Sequence, residues 1–174
     1  MHMTEKNKVV NGLRFLPPSL GAWIASTIPE DEFSGDIPWT PMKKPVSESV
    51  FALMTSAGIN MNADAPFDME REKRDPMWGD PSYRRIPTTA TQADIDVNHL
   101  HVNTDYIKKD INVVLPINRF QELEADGTIG SLAPTAYSYY GYQMDPGVLM
   151  NETMPKVAAD MKAEGVEAAL LTPT

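Results

Sequence analysis

Cysteine is absent from the 174 residues of this chain. Within these residues there is therefore no disulfide, no thiolate metal site and no thiol nucleophile. Runs of basic residues are missing too, because 15 lysines and arginines are scattered among 24 acidic residues and the net charge is −9. A chain this acidic, without a basic stripe, is not expected to bind nucleic acid.

Long apolar runs are also lacking. No stretch reaches the roughly 18 apolar residues of a membrane span, and the first residues lack the apolar segment of a signal peptide. We therefore expect a cytoplasmic protein with no membrane partner. The length suits one domain, and a hydrophobic content of 42% is enough for a core.

Proline is abundant in the first 48 residues, where it interrupts helices and central strands. The prolines that argue against regular structure are Pro17, Pro18, Pro29, Pro38, Pro41 and Pro45. We therefore expect a proline-rich N-terminal arm over residues 1–48 that lies across the domain or a neighbouring subunit. Residues 49–174 are expected to form an α/β domain.

Strand and helix patterns alternate in this second part. Residues 50–55, 128–133 and 166–172 are short apolar segments with little alternation, which is typical of strands covered on both faces. Helix patterns that begin near Pro116 and Pro155 precede the second and third of these segments. The order predicts a three-layer α/β fold with a parallel sheet. The sheet would be incomplete on its C-terminal side, and we expect another chain to cover the open edge.

Small polar residues follow the first and last predicted strands. Thr55, Ser56 and Gly58 end the first, and Thr172 and Thr174 end the last. The carboxyl ends of parallel strands meet at one edge of a sheet, where ligands bind, and small residues let backbone amides approach a ligand closely. These five residues are therefore predicted to bind substrate. The alternative for Gly58 is that it only turns the chain.

Two loops are further candidates. Residues 60–92 form a long polar segment, and loops of that length are usually functional or disordered. Within it, Tyr83 and Arg84 could bind a small acidic substrate, because arginine can hold a carboxylate through two parallel hydrogen bonds. The alternative for Arg84 is an ion pair with a nearby acid. A tyrosine-rich loop over residues 137–142 is either aromatic packing or a wall of the site.

His99 and His101 lie two residues apart, so in an extended segment both rings would point to one side. Together with Asp105 or Asp110 they could bind a metal ion or act as acid and base near neutral pH. We therefore treat His99, His101 and Asp110 as candidate catalytic residues and the two histidines as candidate metal ligands. The alternative is a pair of hydrogen-bonded loop histidines.

Six blocks of the chain together resemble the glycine, sarcosine, betaine and D-proline reductase family, most closely its selenoprotein B-type, or D-proline reductase, subunit. They are LMTSAG at 53–58, GDPSYR at 79–84, HLH at 99–101, DIN at 110–112, GSLAP at 130–134 and KAEGVEAALLTP at 162–173. The blocks run in the family's order from about residue 51 onward, and only the N-terminal arm is poorly covered.

The resemblance implies a Rossmann-like α/β subunit of a complex that reduces an amine-bearing substrate of the D-proline, glycine, sarcosine or betaine type. In the family, a selenocysteine or cysteine directly follows the strand that matches residues 166–173. It attacks carbon and cleaves a C–N bond with electrons from thiol partners. A pyruvoyl group on a sister subunit often holds the substrate amine.

This chain departs from the family pattern at the decisive position, because it ends at Thr174 without any cysteine. Three explanations stay open: a selenocysteine codon read as a stop, a split in which a second chain supplies the C-terminal half, or a relative that uses His99 and His101 instead. In the first two cases the chain alone is expected to be inactive as a reductase. Two other classes also stay open, a metal-dependent or acid/base enzyme subunit and a non-catalytic structural subunit of a hetero-oligomer.

Overall fold

A computed structural model describes residues 12–27 and 40–174 of the chain. The chain divides into two compact units, residues 1–40 and 41–174. The first unit contains a 3₁₀ turn, Gly12–Phe15, and helix α1, Pro18–Thr27. The prolines of the predicted arm therefore permit a short helix, because proline in the first helical turn loses no hydrogen bond. Residues 1–11 and 28–39 of that arm lie outside the described residues, and its predicted boundary at residue 48 stays a prediction.

The second unit carries the remaining helices and the strands of the described chain. The α-helices are α2 (Met69–Arg74), α3 (Ile117–Ala125) and α4 (Met154–Ala163), and a π-helical turn, Leu149–Thr153, precedes α4. The strands are β1 (Val50–Thr55), β2 (Ile59–Met61), β3 (Tyr83–Pro87), β4 (Ile95–Val97), β5 (Ser131–Leu132), β6 (Thr135–Tyr139) and β7 (Ala168–Thr172). No helix in the described residues is long and apolar enough to cross a membrane.

Strand β1 is the centre of the main sheet. On one side it pairs in parallel with β7 from Phe51 to Thr55. On the other side it pairs in parallel with β5 at its start and with β6 at its end. The three predicted strand segments are therefore parallel neighbours, which confirms that part of the α/β prediction. Strand β3 then joins β6 in antiparallel register, so the sheet is mostly parallel rather than wholly parallel.

Two segments predicted as loops contain regular structure. Residues 137–142 were expected to be loop, but residues 135–139 form the buried strand β6. Residues 60–92 were expected to be irregular throughout, but they contain α2 and β3. Tyrosine is favoured in strands, and the polar residues around these tyrosines concealed the pattern. A separate antiparallel pair, β2 with β4, follows the end of β1.

Adjacent residues of β1 enter two different cores. Leu53 packs with residues of the 110–117 segment, including Leu115 and Ile117 at the start of α3. Met54 packs with Val157 of α4 and with Tyr137. Since successive strand residues point to opposite faces, β1 has one of these cores on each face. The Rossmann-like three-layer arrangement stays a prediction.

Strand β7 differs from its prediction. A strand covered on both faces was expected, but Leu171 is 61% exposed and Leu170 is 37% exposed. Strand β7 pairs only with β1 among the described strands, so it forms an edge of the sheet. The apolar sequence of β7 is typical of a buried strand, but the described residues leave Leu170 and Leu171 exposed.

Candidate functional site

The carboxyl ends of β1 and β7 are tied together by small polar residues. Ser56 Oγ lies 3.0 Å from Thr174 Oγ1 and accepts a hydrogen bond of 2.9 Å from the backbone N–H of Thr174. The backbone N–H of Ser56 donates to the carbonyl of Thr172. Gly141, which follows β6, donates its backbone N–H to the carbonyl of Ser56. We call this edge the rim, formed by residues 55–58, 140–142 and 172–174.

Several rim hydroxyl groups bond within the chain itself. Thr55 is fully buried, and its hydroxyl lies 3.3 Å from the carbonyl of Thr172. The Thr172 hydroxyl lies 2.6 Å from the carbonyl of Val114. The Thr172 hydroxyl also lies 3.1 Å from the carbonyl of Met54, so both side chains link the end of β7 to the end of β1. The structure brings together the rim residues that the sequence predicted, while their role in substrate binding stays a prediction.

Gly58 turns the chain beyond β1 and brings the histidine segment to the rim. Its φ of 67° lies in the left-handed region, which glycine adopts without strain. Its carbonyl accepts a hydrogen bond of 2.9 Å from the backbone N–H of Asn98. A Cβ at this position would lie 2.5 Å from the carbonyl oxygen of Asn98. The turn and this close approach to the chain both require glycine.

His99 is buried against Tyr140. The two rings stack with centroids 4.2 Å apart, and His99 is 8% exposed. Burial, with a contribution from His101, lowers the pKa of His99 to about 4. The ring is therefore neutral near pH 7. Its Nδ1 accepts a hydrogen bond from the backbone N–H of His101, so the ring proton lies on Nε2.

His101 and Tyr140 share a buried carboxylate. Glu72 is 3% exposed, its Oε1 is hydrogen-bonded to Nε2 of His101, and its Oε2 accepts the hydroxyl proton of Tyr140. Burial and the bond to Glu72 raise the pKa of Tyr140, so the phenol stays protonated. His101 also stacks on Tyr142, with centroids 4.0 Å apart. Glu72, His99, His101, Tyr140 and Tyr142 are called the histidine cluster below.

Local structure fixes the members of this cluster. Helix α2 is short, but Asp68 caps it by accepting the backbone N–H of Arg71, and Glu72 lies on its buried side. Tyr140 follows β6 and forms an isolated bridge with Ala57. A Cβ on Gly141 would lie 2.9 Å from Cβ of Ser56, so glycine allows the tyrosine segment to pass directly over the rim. The cluster therefore adjoins the ends of β1 and β6.

The other predicted site residues bond elsewhere. The Tyr83 hydroxyl donates to Asp160, and burial together with this bond raises the pKa of Tyr83. Arg84 donates to the carbonyls of residues 65, 66 and 83 and to the hydroxyl of Ser82, which uses four of its five N–H groups. Its guanidinium lies 4.2 Å from the ring centroid of Phe67. Arg84 thus stabilises the surrounding loop. Only one of its N–H groups remains, whereas the predicted carboxylate contact would need two.

Asp110 caps a 3₁₀ turn, Ile111–Val113. Its carboxylate accepts the backbone N–H and the side-chain amide of Asn112, and these two bonds lower its pKa. No bond joins it to the histidine cluster in the described part of the chain. Residues 12–27 and 40–174 also contain no group of three His, Asp or Glu side chains that could hold a metal ion. Asp105 therefore does not complete a ligand set with His99 and His101.

Glu72 is the member of the cluster that sequence reasoning missed. It stands in the run Met69–Arg74, where five of six residues are charged and nothing marks one as buried. Tyr140 and Tyr142 were predicted as either packing or a wall of the site, and they do form the surface on which both histidines stack. Only the tertiary fold brings α2 to the histidines.

Comparisons with known proteins agree with the resemblance. A family model described as glycine/sarcosine/betaine reductase selenoprotein B matches residues 28–174. The D-proline reductase subunit gamma of Acetoanaerobium sticklandii is 37% identical over 134 residues, which cover 77% of this chain and 52% of that protein. The glycine reductase complex component B subunit gamma of Carboxydothermus hydrogenoformans is 29% identical over 141 residues, 79% of this chain and 31% of that protein. The chain thus spans about half or less of these relatives. No solved structure matches it.

Proposed function

The chain belongs to the glycine/sarcosine/betaine reductase selenoprotein B family, and on that basis we propose that it is a component of a reductase complex that cleaves a C–N bond of an amino acid or amine. The observation that carries the proposal is the family match over residues 28–174, which includes the rim. The matched relatives are named as subunits of D-proline reductase and of glycine reductase. A small amine of the D-proline, glycine, sarcosine or betaine type is therefore the proposed substrate class.

The reacting group would be a selenol or thiol directly after Thr174, supplied by further residues or by a second chain. The geometry supports that place, because Thr174 is held against Ser56 and both strand ends meet there. A selenolate or thiolate supplies a strong nucleophile near pH 7, which hydroxyl groups do not. A pyruvoyl group on a sister subunit would hold the substrate amine.

The residues of this chain would bind, orient and exchange protons. Thr55, Ser56, Gly58, Thr172 and Thr174 would form the wall beside the reacting group, and the two histidines would lie next to it. Arg84 would support that wall, since its guanidinium lies against Phe67 and Phe67 packs against Tyr140 with ring centroids 5.9 Å apart. Tyr83, whose hydroxyl donates to Asp160, would link β3 to α4. We assign Asp110 a structural role rather than a catalytic one, because its carboxylate is used in capping.

The experiment is reconstitution of this chain with a sister subunit and with the residues or second chain that supply the selenol or thiol after Thr174. A dithiol is the electron source, and D-proline, glycine, sarcosine or betaine is the substrate. Replacing both His99 and His101 with alanine should abolish turnover while far-ultraviolet circular dichroism keeps its folded signal. The control is His2→Ala, which changes the one other histidine of the chain. Unchanged turnover in the double variant would remove the histidines from the mechanism.

A second candidate is an acid/base enzyme that needs no thiol. It is favoured by one observation, the buried carboxylate of Glu72 hydrogen-bonded to the half-exposed ring of His101. The two candidates differ in electron demand, because acid/base chemistry needs no dithiol. Substrate conversion that continues at the same rate without dithiol would favour this second candidate. A purely structural subunit would instead show no effect of the histidine variants in an active complex.

A further inference from the structure

The hydrogen bonds of Glu72 determine which nitrogen of His101 carries a proton. Each carboxylate oxygen of Glu72 has one partner, Nε2 of His101 or the hydroxyl of Tyr140. An ionised carboxylate only accepts hydrogen bonds, so both partners must donate. The neutral His101 ring then carries its proton on Nε2, and its Nδ1 is bare.

Nδ1 is the available atom of this ring. It makes no hydrogen bond within the described residues, and the His101 side chain is 47% exposed. Stacking on Tyr142 and the bond to Glu72 hold the ring in one orientation. His99 lies edge-on at a centroid distance of 6.0 Å, with its own Nδ1 already bonded and its Nε2 buried without a partner in the described residues. Of the two rings, only His101 can take up a proton at an accessible nitrogen.

We propose that Glu72 is a positioning residue that holds His101 in its Nε2-protonated tautomer, so that Nδ1 exchanges a proton with a substrate amine at the rim. The identity of that substrate rests on the proposed function. The tautomer does not, because it is inferred from the contacts of Glu72 within this chain, with the carboxylate as acceptor from both partners. A histidine held by a carboxylate through one nitrogen and open at the other is a common arrangement in acid/base catalysis.

Glu72→Gln gives a sharp test, because the two partners of Glu72 differ in burial. Tyr140 is 1% exposed, so its hydroxyl must keep an acceptor, and the amide oxygen of glutamine supplies one. The amide NH₂ then faces Nε2 of His101 and must donate to it. His101 can accept this hydrogen bond at Nε2 if its own proton moves to Nδ1. The Nδ1–H group can then donate to water, because the ring is half-exposed. The substitution should therefore switch the tautomer of His101.

The measurement is nitrogen-15 nuclear magnetic resonance of histidine-labelled chain at a pH where the rings are neutral. The expected result is a bare Nδ1 for His101 in the parent chain and a protonated Nδ1 in Glu72→Gln. The control is Glu70→Gln, which changes a solvent-exposed carboxylate of the same helix. A protonated Nδ1 in the parent chain, or an unchanged tautomer in a folded Glu72→Gln chain, would overturn the proposal. If that variant does not fold, the tautomer of the parent chain decides.

Turnover in the reconstituted complex tests the proton transfer. Glu72→Gln should lower kcat on the order of 100-fold, with KM little changed, since proton transfer rather than binding is affected. Glu70→Gln should leave both constants unchanged. An unchanged kcat beside a switched tautomer would refute the proton transfer. Absence of turnover in the parent complex would instead refute the proposed function, and the tautomer result would still stand.

Discussion

His99 links the stability of the fold to pH. Its pKa is about 4 in the folded chain, below the ordinary value of 6.5, chiefly because of burial. Between these values the unfolded chain binds a proton that the folded chain does not, so the free energy of unfolding falls as pH drops from about 6.5 to about 4. Other groups face this ring, namely Glu72, which opposes the shift, His101, which adds to it, and the phenol of Tyr140.

His99→Phe should remove this pH dependence while keeping a ring stacked on Tyr140. Urea unfolding at pH 7.5 and pH 5 measures it, and the difference in unfolding free energy between the two should shrink in the variant. Carboxylates with lowered pKa, such as Asp94 and Asp126, start from ordinary values of 3.8 and therefore contribute mainly below this window. An undiminished difference would show that another group titrates.

Single residues were predictable where their chemistry is rare in the chain. Two of the three histidines in one short segment and a glycine after a buried strand stand out, and both are among the predicted site residues. Glu72 could not be, because burial of one carboxylate among the charged residues of α2 depends on where Tyr140 and His101 lie in space. The stabilising role of Arg84 was hidden for the same reason, since its acceptors are mostly backbone carbonyls.

Among the elements, the turn at Gly58 holds the histidine segment to the main sheet. Gly58→Ala should destabilise the fold, because alanine is strained at a φ of 67° and its Cβ would lie 2.5 Å from the carbonyl oxygen of Asn98. The matched control is Gly127→Ala, with a φ of 77° and open space around the new Cβ. The backbone strain alone costs about 1–3 kcal/mol, so Gly58→Ala should cost clearly more than its control. Equal costs in urea unfolding would contradict the contact.

Strand β7 offers a second test at this scale. It has an unpaired edge and an exposed Leu171, and such edges are usually covered in natural proteins. We expect the chain to associate with itself or with a sister subunit along β7. Leu171→Lys should weaken that association without unfolding the chain, whereas Met150→Lys, at a residue 64% exposed outside the sheet, should not. A parent chain that light scattering shows to be a soluble monomer both alone and when mixed with the sister subunit would count against the idea.

The apolar pattern predicted β1, α3, α4 and β7, because each of these elements has apolar residues at the spacing of a strand or a helix. In β7 these residues are partly exposed. The pattern failed for β3 and β6, which are rich in tyrosine, arginine and serine and are buried only because they pair with each other and with β1. Strand β3 is reached from β1 through β2 and α2, and it runs antiparallel to β6. No local sequence pattern specifies that direction. Order and direction of strands are properties of the packed sheet.

At the scale of the whole molecule, the absence of cysteine limits what these 174 residues can do. In the proposed reaction, reductive cleavage of a C–N bond uses a group that attacks carbon near pH 7 and is then regenerated by a dithiol. The hydroxyls of Ser56, Thr172 and Thr174 lie at the rim, but a hydroxyl cannot form the sulfur or selenium adduct that a dithiol reduces. We therefore expect no dithiol-dependent reductase activity from the isolated chain on proline, glycine, betaine or sarcosine.

Activity should appear when a cysteine or selenocysteine, with the residues that follow it in the family, is placed after Thr174 and the sister subunit is added. The matched control carries serine at the added position, which keeps the length and nearly the shape of the side chain but not its redox chemistry. The measurement is substrate consumption with dithiothreitol as the electron source. Turnover by the serine control or by the cysteine-free chain would show that sulfur is not required. Acid/base catalysis by His101, positioned by Glu72, would then be the favoured mechanism, because proton transfer needs no electron donor.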